Sequence, residues 1–321
     1  AHASDKMNVD VTELAFSTTY TLPAPVDGVA ARSDGTVVVA TSRVFGNEWD
    51  GGLTAILPSG TQKMCHMPCG CTDVAFVGKE SNAVVVSCDD GNVIVVSITS
   101  IGAEGWRPLS LFAEHEHIAT AVGVCPSAPE TLASASFDHT VKVWSMGSGD
   151  EGGCTTSLTG HCATVWDVEY SPSDANVLAS CAQDGGVRVW DQRKVGCTSS
   201  VEEESALFCL TWKDENTILA GSENGTIHTY DLRKIDKGEF VKFQAHTDSV
   251  RRISVLAGEK DSLVASVGDD CFLAVSSPDA GILKHKSKPH TDYVRGLCAL
   301  PDKSGLLTAS WDKTVATVKL P

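Results

Sequence analysis

One stretch of the sequence, residues 160–191, recurs in altered form along the chain and constrains the fold more than any other feature. It begins with Gly160-His161, ends with Trp190-Asp191, and holds three short apolar segments separated by turns. Apolar segments of this length, bounded by Ser, Asp and Gly, predict β-strands. An Asp or Asn in the last turn recurs at near-constant spacing, at Asp50, Asp90, Asp138, Asp184, Asn224, Asp270 and Asp312.

A unit of about 40–45 residues, with Gly-His near its start and Trp-Asp at its end, resembles a WD repeat, which forms one blade of a β-propeller. Seven such units use nearly the whole chain. We therefore predict an all-β fold in which residues 1–321 form one domain, a seven-bladed WD-repeat β-propeller. A ring is expected because a single blade cannot bury both of its faces.

The two ends of the chain predict how the ring closes. The last unit stops after its third apolar segment, and residues 1–23 precede the first unit as a lead-in. Within residues 12–21, Leu14, Phe16, Thr18 and Tyr20 alternate with other residues, which is typical of a strand with one buried face. We predict that this segment pairs with the last blade as its fourth strand, which would remove an open sheet edge.

The best-preserved units share four residues at identical spacing, and WD repeats use residues of these types to lock a blade through hydrogen bonds. A fully paired polar network favours one packing. The predicted networks are His115, Ser134, Asp138 and Trp144 in the third unit, and His161, Ser180, Asp184 and Trp190 in the fourth. His, Ser and Asp also form hydrolase triads. A triad is built once, whereas this set recurs, so we expect no catalytic residues and no enzyme activity.

Composition narrows the possible partners. The chain carries 25 Lys and Arg against 41 Asp and Glu, a formal net charge of −16 at pH 7. Because phosphate binding needs clustered Lys and Arg, we expect no direct nucleic-acid binding and favour basic partners. The sequence contains no run of about 18 apolar residues, which a membrane-spanning helix would need, so no membrane span is predicted. The sequence has no phosphate-binding loop or dinucleotide-binding glycine pattern, so no cofactor is expected.

Twelve cysteines lie mostly singly within predicted strands, which is typical of reduced, buried thiols in a cytosolic or nuclear protein. One cluster differs, Cys65-His66-Met67-Pro68-Cys69-Gly70-Cys71. Its residue types can bind metal, but no second Cys or His pair at zinc-finger spacing lies nearby in the sequence. We therefore expect a turn between blades here and no metal site.

The first unit has a longer connection between its second and third strands than the other units, spanning residues 41–50. It carries Arg43, Phe45, Glu48 and Trp49. A long loop with large aromatic side chains and an arginine is typical of an interface anchor, so we predict a partner-binding site. The alternative is that Phe45 and Trp49 fold back onto the blade.

Several segments together are similar to the methylosome protein 50 family, the WD-repeat partners of the type II (symmetric) protein arginine methyltransferase. Two of them are more telling than the general WD positions: the first-blade connection and the Asp-Cys-x-Leu-Ala-Val strand. The resemblance covers nearly the whole chain. The segments are Arg32-Ser33-Asp34-Gly35, Trp49-x-Gly51-x-Leu53, Asp269-Asp270-Cys271-x-Leu273-Ala274-Val275 and His290-x-Asp292-Tyr293-Val294-Arg295.

This resemblance implies a non-catalytic scaffold subunit, resident in cytoplasm and nucleus. In that family the propeller docks on the N-terminal barrel domain of the methyltransferase in a complex of four copies of each. It raises methyltransferase activity and presents basic Arg/Gly-rich substrates, such as Sm proteins in snRNP assembly and histone tails in histone methylation. The family's first-blade Trp, which inserts into the enzyme, matches Trp49. Arg43, Phe45, Glu48 and Tyr293 are expected beside it.

Two other functions stay open. Trp190-Asp191-Gln192-Arg193 and, less well, Tyr230-Asp231-Leu232-Arg233 match a Trp-Asp-x-Arg ending that resembles substrate receptors of cullin-type ubiquitin ligases. Arg at this place can also serve simply to pair with acidic neighbours. The remaining possibility is a general WD-repeat scaffold without a fixed enzyme partner.

Overall fold

The computed structural model describes residues 12–45, 48–78, 81–104, 107–147, 152–237, 240–256 and 263–320, without the side chains of residues 18, 44, 45, 48, 49 and 235–237. In these ranges the regular structure is almost all β-strand, with two short 3-10 helices at Ile98–Ser100 and Leu232–Lys237. Within these ranges, no helix is long and apolar enough to cross a membrane.

The strands form seven four-stranded antiparallel sheets, the blades. Strand β1 (Phe16–Thr21) comes first in the chain and belongs to blade 7. Blade 1 consists of β2 (Val26–Ala31), β3 (Val37–Phe45), β4 (Glu48–Ile56) and β5 (Gln62–Met67). Blade 2 consists of β6 (Cys71–Phe76), β7 (Ala83–Cys88), β8 (Val93–Ser97) and β9 (Ser110–Phe112). Blade 3 consists of β10 (Ala119–Val124), β11 (Thr131–Ser136), β12 (Thr140–Ser145) and β13 (Gly153–Thr159).

The remaining four blades follow the same order. Blade 4 consists of β14 (Val165–Tyr170), β15 (Val177–Ala182), β16 (Gly186–Asp191) and β17 (Cys197–Glu202). Blade 5 consists of β18 (Leu207–Asp214), β19 (Thr217–Ser222), β20 (Thr226–Asp231) and β21 (Val241–Gln244). Blade 6 consists of β22 (Val250–Leu256), β23 (Leu263–Gly268), β24 (Leu273–Ser277) and β25 (Ile282–Ser287). Blade 7 combines β26 (Val294–Ala299), β27 (Gly305–Ser310) and β28 (Thr314–Lys319) with β1.

The seven blades form a closed ring around a central channel. The first chain segment of each blade is its innermost strand and contacts the innermost strand of the next blade, and β26 of blade 7 contacts β2 of blade 1. Buried apolar side chains fill the space between each pair of neighbouring blades, in seven clusters. The fold predicted from the repeats, a seven-bladed WD-repeat β-propeller, is confirmed.

Strand β1 closes the ring as the outermost strand of blade 7, pairing Phe16 with Val318. The closing strand was predicted to start at residue 12, and that boundary was wrong. Thr12 forms a parallel bridge to His285 of blade 6 instead, and the backbone of Leu14 exchanges hydrogen bonds of 2.6 and 3.1 Å with Ser287 Oγ. The segment before β1 therefore ties blade 6 to blade 7.

The four residues highlighted in the third unit lie in one chain of hydrogen bonds. Trp144 Nε1 donates to Ser134 Oγ at 2.8 Å, and that hydroxyl lies 2.7 Å from His115 Nε2. His115 Nδ1 lies 2.7 Å from the Asp138 carboxylate. A neutral imidazole permits one consistent direction, from indole to hydroxyl to imidazole to carboxylate. The chain joins the connection from blade 2 to the second and third strands of blade 3.

The fourth unit repeats the arrangement. Trp190 Nε1 donates to Ser180 Oγ at 2.9 Å, and His161 lies 2.8 Å from that hydroxyl and 3.1 Å from Asp184. Burial lowers the pKa of His161 to about 4, so its imidazole is neutral at pH 7. The same contacts without the indole occur in blades 6 and 7, between His246, Ser266 and Asp270 and between His290, Thr308 and Asp312. These imidazoles are buried, so they serve blade packing.

Candidate partner-binding face and channel mouth

One face of the ring, here called the top face, collects the variable side chains. Each innermost strand begins there, and the turn between the second and third strands of each blade lies there as well, because the strands within a blade are antiparallel. Side chains from all seven blades can therefore meet at the top end of the channel.

A β-bulge near the start of every innermost strand builds the mouth of the channel. A bulge re-aims the side chain of its extra residue. The seven bulge residues all line one cavity of about 310 Å³: Asp27, Thr72, Thr120, Trp166, Phe208, Arg251 and Arg295. Sequence reasoning missed this site because these residues differ in type. They share only their position, since each is the second residue of its innermost strand.

One side of the mouth is aromatic. The ring of Trp166 meets Phe137 and Phe208 edge to face, with centroid distances of 5.2 Å in both pairs. The Arg251 guanidinium lies 4.0 Å from the centroid of the Phe208 ring and 2.7 Å from Asp269. Arginine over an aromatic face is an attractive arrangement. This side therefore presents fixed apolar faces, and its arginine is already paired with a carboxylate.

The other side of the mouth is acidic. Asp27 accepts hydrogen bonds from Trp311 Nε1 at 2.8 Å and from Ser42 Oγ. Asp89 accepts one from the Gly70 amide at 2.9 Å. In the described part of the chain neither carboxylate forms an ion pair, and burial raises the pKa of Asp27 to about 6 and that of Asp89 above its usual value. A bound cation would stabilise both carboxylates and could also contact the aromatic faces.

The raised pKa of Asp27 predicts a pH-dependent stability difference for Asp27→Asn. The folded-state pKa of about 6 lies above the ordinary 3.8. The contribution of Asp27 to the free energy of unfolding therefore falls as pH rises from about 4 to about 6 and is then level. The variant lacks this loss, so its stability relative to the parent should rise by about 3 kcal/mol from pH 4 to pH 7. Urea unfolding at several pH values measures it.

A suitable control is Asp302→Asn. Asp302 lies in an exposed turn, where hydrogen bonds from the backbone amide and hydroxyl of Ser304 lower the pKa of its carboxyl. Its contribution is present above the unfolded-state pKa of 3.8 and is lost at lower pH, so this variant should show a trend of opposite sign that is confined to pH values below about 4. A stability difference for Asp27→Asn that stayed constant across the range would contradict the assignment of a raised pKa.

The first-blade connection, predicted as a long loop over residues 41–50, is a β-hairpin. Strands β3 and β4 continue past the blade, with Arg43 opposite Asp50 and Phe45 opposite Glu48. Placing Asp50 in the turn was therefore wrong, because it lies within β4. Its carboxylate binds Arg43 at 2.5 and 2.9 Å and His66 at 3.1 Å, and these contacts lower its pKa to about 2. Ladder hydrogen bonds in the extension satisfy backbone groups that a loop would leave to water.

Of the predicted partner-binding residues on this hairpin, Arg43 has a described side chain, and it is 44% exposed. The side chains of Phe45, Glu48 and Trp49 lie outside the described part of the chain. Their role in partner binding, and the alternative that the aromatic rings fold back onto the blade, both stay predictions.

Tyr293, predicted from blade 7, lies in an exposed aromatic patch. Its ring centroid is 5.5 Å from that of Trp311, and the two side chains belong to residues 40% and 36% exposed. The Arg295 guanidinium lies 4.8 Å from the Trp311 ring. Trp311 was missed by the sequence analysis, although its place directly before the turn Asp312 puts it at the top face.

The aromatic patch adjoins the hairpin across the boundary between blades 7 and 1. Trp311 binds Asp27 at the start of β2, and Asp27 also binds Ser42 at the base of the hairpin. The structure thus brings Tyr293 and the hairpin to neighbouring places on one face. In each predicted network the His, Ser and Trp are buried in the blade, and only the carboxylates of Asp138 and Asp184 lie in turns at this face.

The two arginines that resembled a ubiquitin-ligase signature are engaged locally. Arg193 binds Asp191 at 2.7 Å and Asp174 at 2.8 Å, and Arg233 binds Asp231 at 2.8 Å. Each arginine is therefore already held by carboxylates of its own blade.

Comparison with known proteins places this geometry in context. The family model described as WD domain, G-beta repeat matches residues 106–145, 152–191 and 281–316. The chain is 24% identical over 311 residues to methylosome protein WDR77 of Xenopus laevis, covering 92% of this chain and 90% of that protein. It is 22% identical over 238 residues to the peroxisomal targeting signal 2 receptor of Schizosaccharomyces pombe, covering 73% and 75%.

Among solved structures, the WD40 β-propeller domain of Doa1 matches with a TM-score of 0.80, covering 96% of this chain and 98% of that chain. At 18% identity this match supports the fold alone. The chain is therefore a seven-bladed β-propeller in which three segments match the WD-repeat model, and it is similar along nearly its whole length to the methylosome protein WDR77.

Proposed function

We propose that this protein is a non-catalytic scaffold subunit that binds and activates a type II protein arginine methyltransferase. The observation that carries the proposal is the similarity to a methylosome protein, which spans 92% of this chain and 90% of that protein. A match of this extent reaches well beyond the three segments that the repeat model matches.

The docking surface we propose is the hairpin of β3 and β4 together with the patch of Tyr293 and Trp311. Exposed aromatic side chains and an arginine at one blade boundary supply the large, rigid contacts that dominate protein interfaces. In the proposed complex, four copies of each protein assemble, and Trp49 inserts into the methyltransferase with Arg43, Phe45 and Glu48 beside it.

We also propose that the propeller presents basic Arg/Gly-rich substrates to the enzyme, with Sm proteins and histone tails as the expected classes, in cytoplasm and nucleus. The net charge of −16 supports this role, because an acidic surface raises the association rate of basic chains.

Replacing Trp49 with alanine tests the docking surface. We expect the variant to keep its fold and to bind the methyltransferase more weakly by at least about 2 kcal/mol, about thirtyfold, because a large buried aromatic anchor is lost. Smaller losses are expected for Arg43→Ala and Tyr293→Ala. The measurement is a titration of purified propeller against the enzyme, with circular dichroism to monitor folding.

A matched control is Leu111→Ala on the outer strand of blade 2. Leu111 is 55% exposed and lies outside the hairpin and the blade 7 patch, so its loss should leave the affinity unchanged. Parental affinity of the Trp49 variant would remove the hairpin from the interface. Affinity purification from native cells then separates the remaining functions: a stoichiometric ligase adaptor would indicate a ubiquitin-ligase receptor, and no fixed enzyme would indicate a general scaffold.

A further inference from the structure

Blade 2 lacks the polar network that locks blades 3 and 4. Strand register makes the comparison direct, since Cys71 pairs with Cys88 as Ala119 pairs with Ser136 in blade 3. The same register places Val86 where blade 3 has Ser134, and Val96 where it has Trp144. The turn aspartate is retained as Asp90. Blade 2 therefore keeps the carboxylate of the network without its hydroxyl or its indole.

Sulfur atoms lie beside the Asp90 carboxylate of blade 2, whereas the corresponding aspartates of blades 3, 4, 6 and 7 contact a histidine. The thiols of Cys69 and Cys88 and a carboxylate oxygen of Asp90 all lie within 4.8 Å of one another. Cys69 comes from the connection between blades 1 and 2, whereas Cys88 ends β7 and Asp90 lies in the turn after it. The two cysteines are 3% and 0% exposed, while Asp90 is exposed at the top face, so the cluster can be reached from solvent.

Two further sulfur atoms adjoin the cluster. Cys71 is the cross-strand partner of Cys88, and its Sγ lies 3.4 Å from Met67 Sδ. The carboxylate of Asp90 is oriented by the backbone amide and the side-chain amide of Asn92, at 3.1 and 2.7 Å. An oriented carboxylate beside several thiols is typical of metal ligands supported by outer-shell hydrogen bonds.

We propose that Cys69, Cys88 and Asp90 bind a zinc ion that fastens blade 2 to the connection from blade 1. Two thiolates and a carboxylate are common zinc ligands, and Cys71 or a water molecule would complete a tetrahedron. Ligand atoms around tetrahedral zinc lie about 3.8 Å apart, so the three atoms need only small side-chain shifts. The sequence analysis expected no metal here because Cys88 and Asp90 are remote from residues 65–71 in the chain, and the fold brings them together.

The ligand types favour zinc over other ions. Thiolates disfavour magnesium and calcium, which prefer oxygen ligands, and the carboxylate disfavours copper(I). Zinc must displace thiol protons, so its affinity should fall as pH is lowered.

The experiment measures zinc on the purified full chain, kept reduced with a phosphine. We expect one zinc per chain by elemental analysis, a raised Tm relative to chelator-treated protein, and thiolate-to-metal charge-transfer absorption with cobalt(II). Cys69→Ser and Cys88→Ser should each weaken zinc binding at least about 100-fold, since outer-shell changes alone cost 10- to 100-fold.

Serine at position 88 is compatible with the fold, which keeps the test decisive. The equivalent positions in blades 3, 5 and 7 are the buried serines Ser136, Ser222 and Ser310, each paired with the first residue of its innermost strand. Cys125→Ser is the control, because Cys125 is equally buried and lies in blade 3. No zinc uptake by the folded parent, or uptake that Cys69→Ser and Cys88→Ser leave unchanged, would overturn the proposal.

Discussion

Replacing Arg252 with methionine should lower the free energy of unfolding by about 3–5 kcal/mol at pH 7, because it leaves two buried carboxylates unpaired. Arg252 lies on β22 and points into the channel, with its guanidinium 2.7 Å from Asp73 and 3.5 Å from Asp167. Those two carboxylates have 13% and 10% exposed side chains. They have no other cationic partner in the described part of the chain.

The position of Arg252 explains why the loss should be large. Asp73 on blade 2 accepts a hydrogen bond from the Val122 amide of blade 3 at 3.3 Å. Asp167 on blade 4 accepts one from the Leu210 amide of blade 5 at 3.0 Å. One guanidinium on blade 6 thus neutralises two carboxylates that each join a pair of blades. The loss should be smaller at acidic pH, because burial raises the pKa of Asp167 and a protonated carboxyl no longer needs the cation.

Arg233→Met is the matched control, measured by the same urea unfolding. Like Arg252, Arg233 forms an ion pair: two of its guanidinium nitrogens bind the carboxylate of Asp231. Its side chain, however, is 66% exposed. Exposed ion pairs contribute about 0–1 kcal/mol, so this variant should be nearly as stable as the parent. If Arg252→Met were no less stable than Arg233→Met, the channel ion pairs would not stabilise the ring.

Removing residues 1–22 should lower the free energy of unfolding by at least about 4 kcal/mol, judged from the cost of about 2–5 kcal/mol for losing one buried Leu side chain. Two leucines flank β1 and are almost wholly buried. Leu14 packs into the core between blades 6 and 7, and Leu22 into the core between blades 7 and 1. The deletion also leaves β28 as an unpaired sheet edge.

Thermal and urea unfolding of the shortened chain measure this effect. A synthetic peptide spanning residues 12–22, added in trans, should restore part of the stability, since it supplies β1 and both leucines. A version of the peptide with Leu14 and Leu22 replaced by alanine is the control and should restore less. Unchanged stability of the shortened chain would show that the ring does not depend on strand closure.

Local sequence patterns were sufficient to predict the fold, because each blade is specified by contacts within about 40–45 residues. Strand alternation and turn chemistry are local properties. The Asp-Gly pairs at Asp90-Gly91 and Asp184-Gly185 are examples, since the glycines have φ of 86° and 77°, which a turn needs and glycine adopts without strain. The hairpin was mispredicted because its extension lies outside the repeat, so no other unit supplies a template for it.

The sequence by itself determined the seven blades, the closing strand and the spacing of the His-Ser-Asp-Trp sets, since periodicity and turn residues act over short distances. The tertiary structure alone decided which side chains meet at the channel mouth, where seven bulge residues from all seven blades converge. It also decided that Arg252 meets Asp73 and Asp167, and that Cys69 meets Cys88 and Asp90. These contacts depend on how blades pack around the ring, and packing between residues remote in the chain leaves no periodic signal in a single sequence.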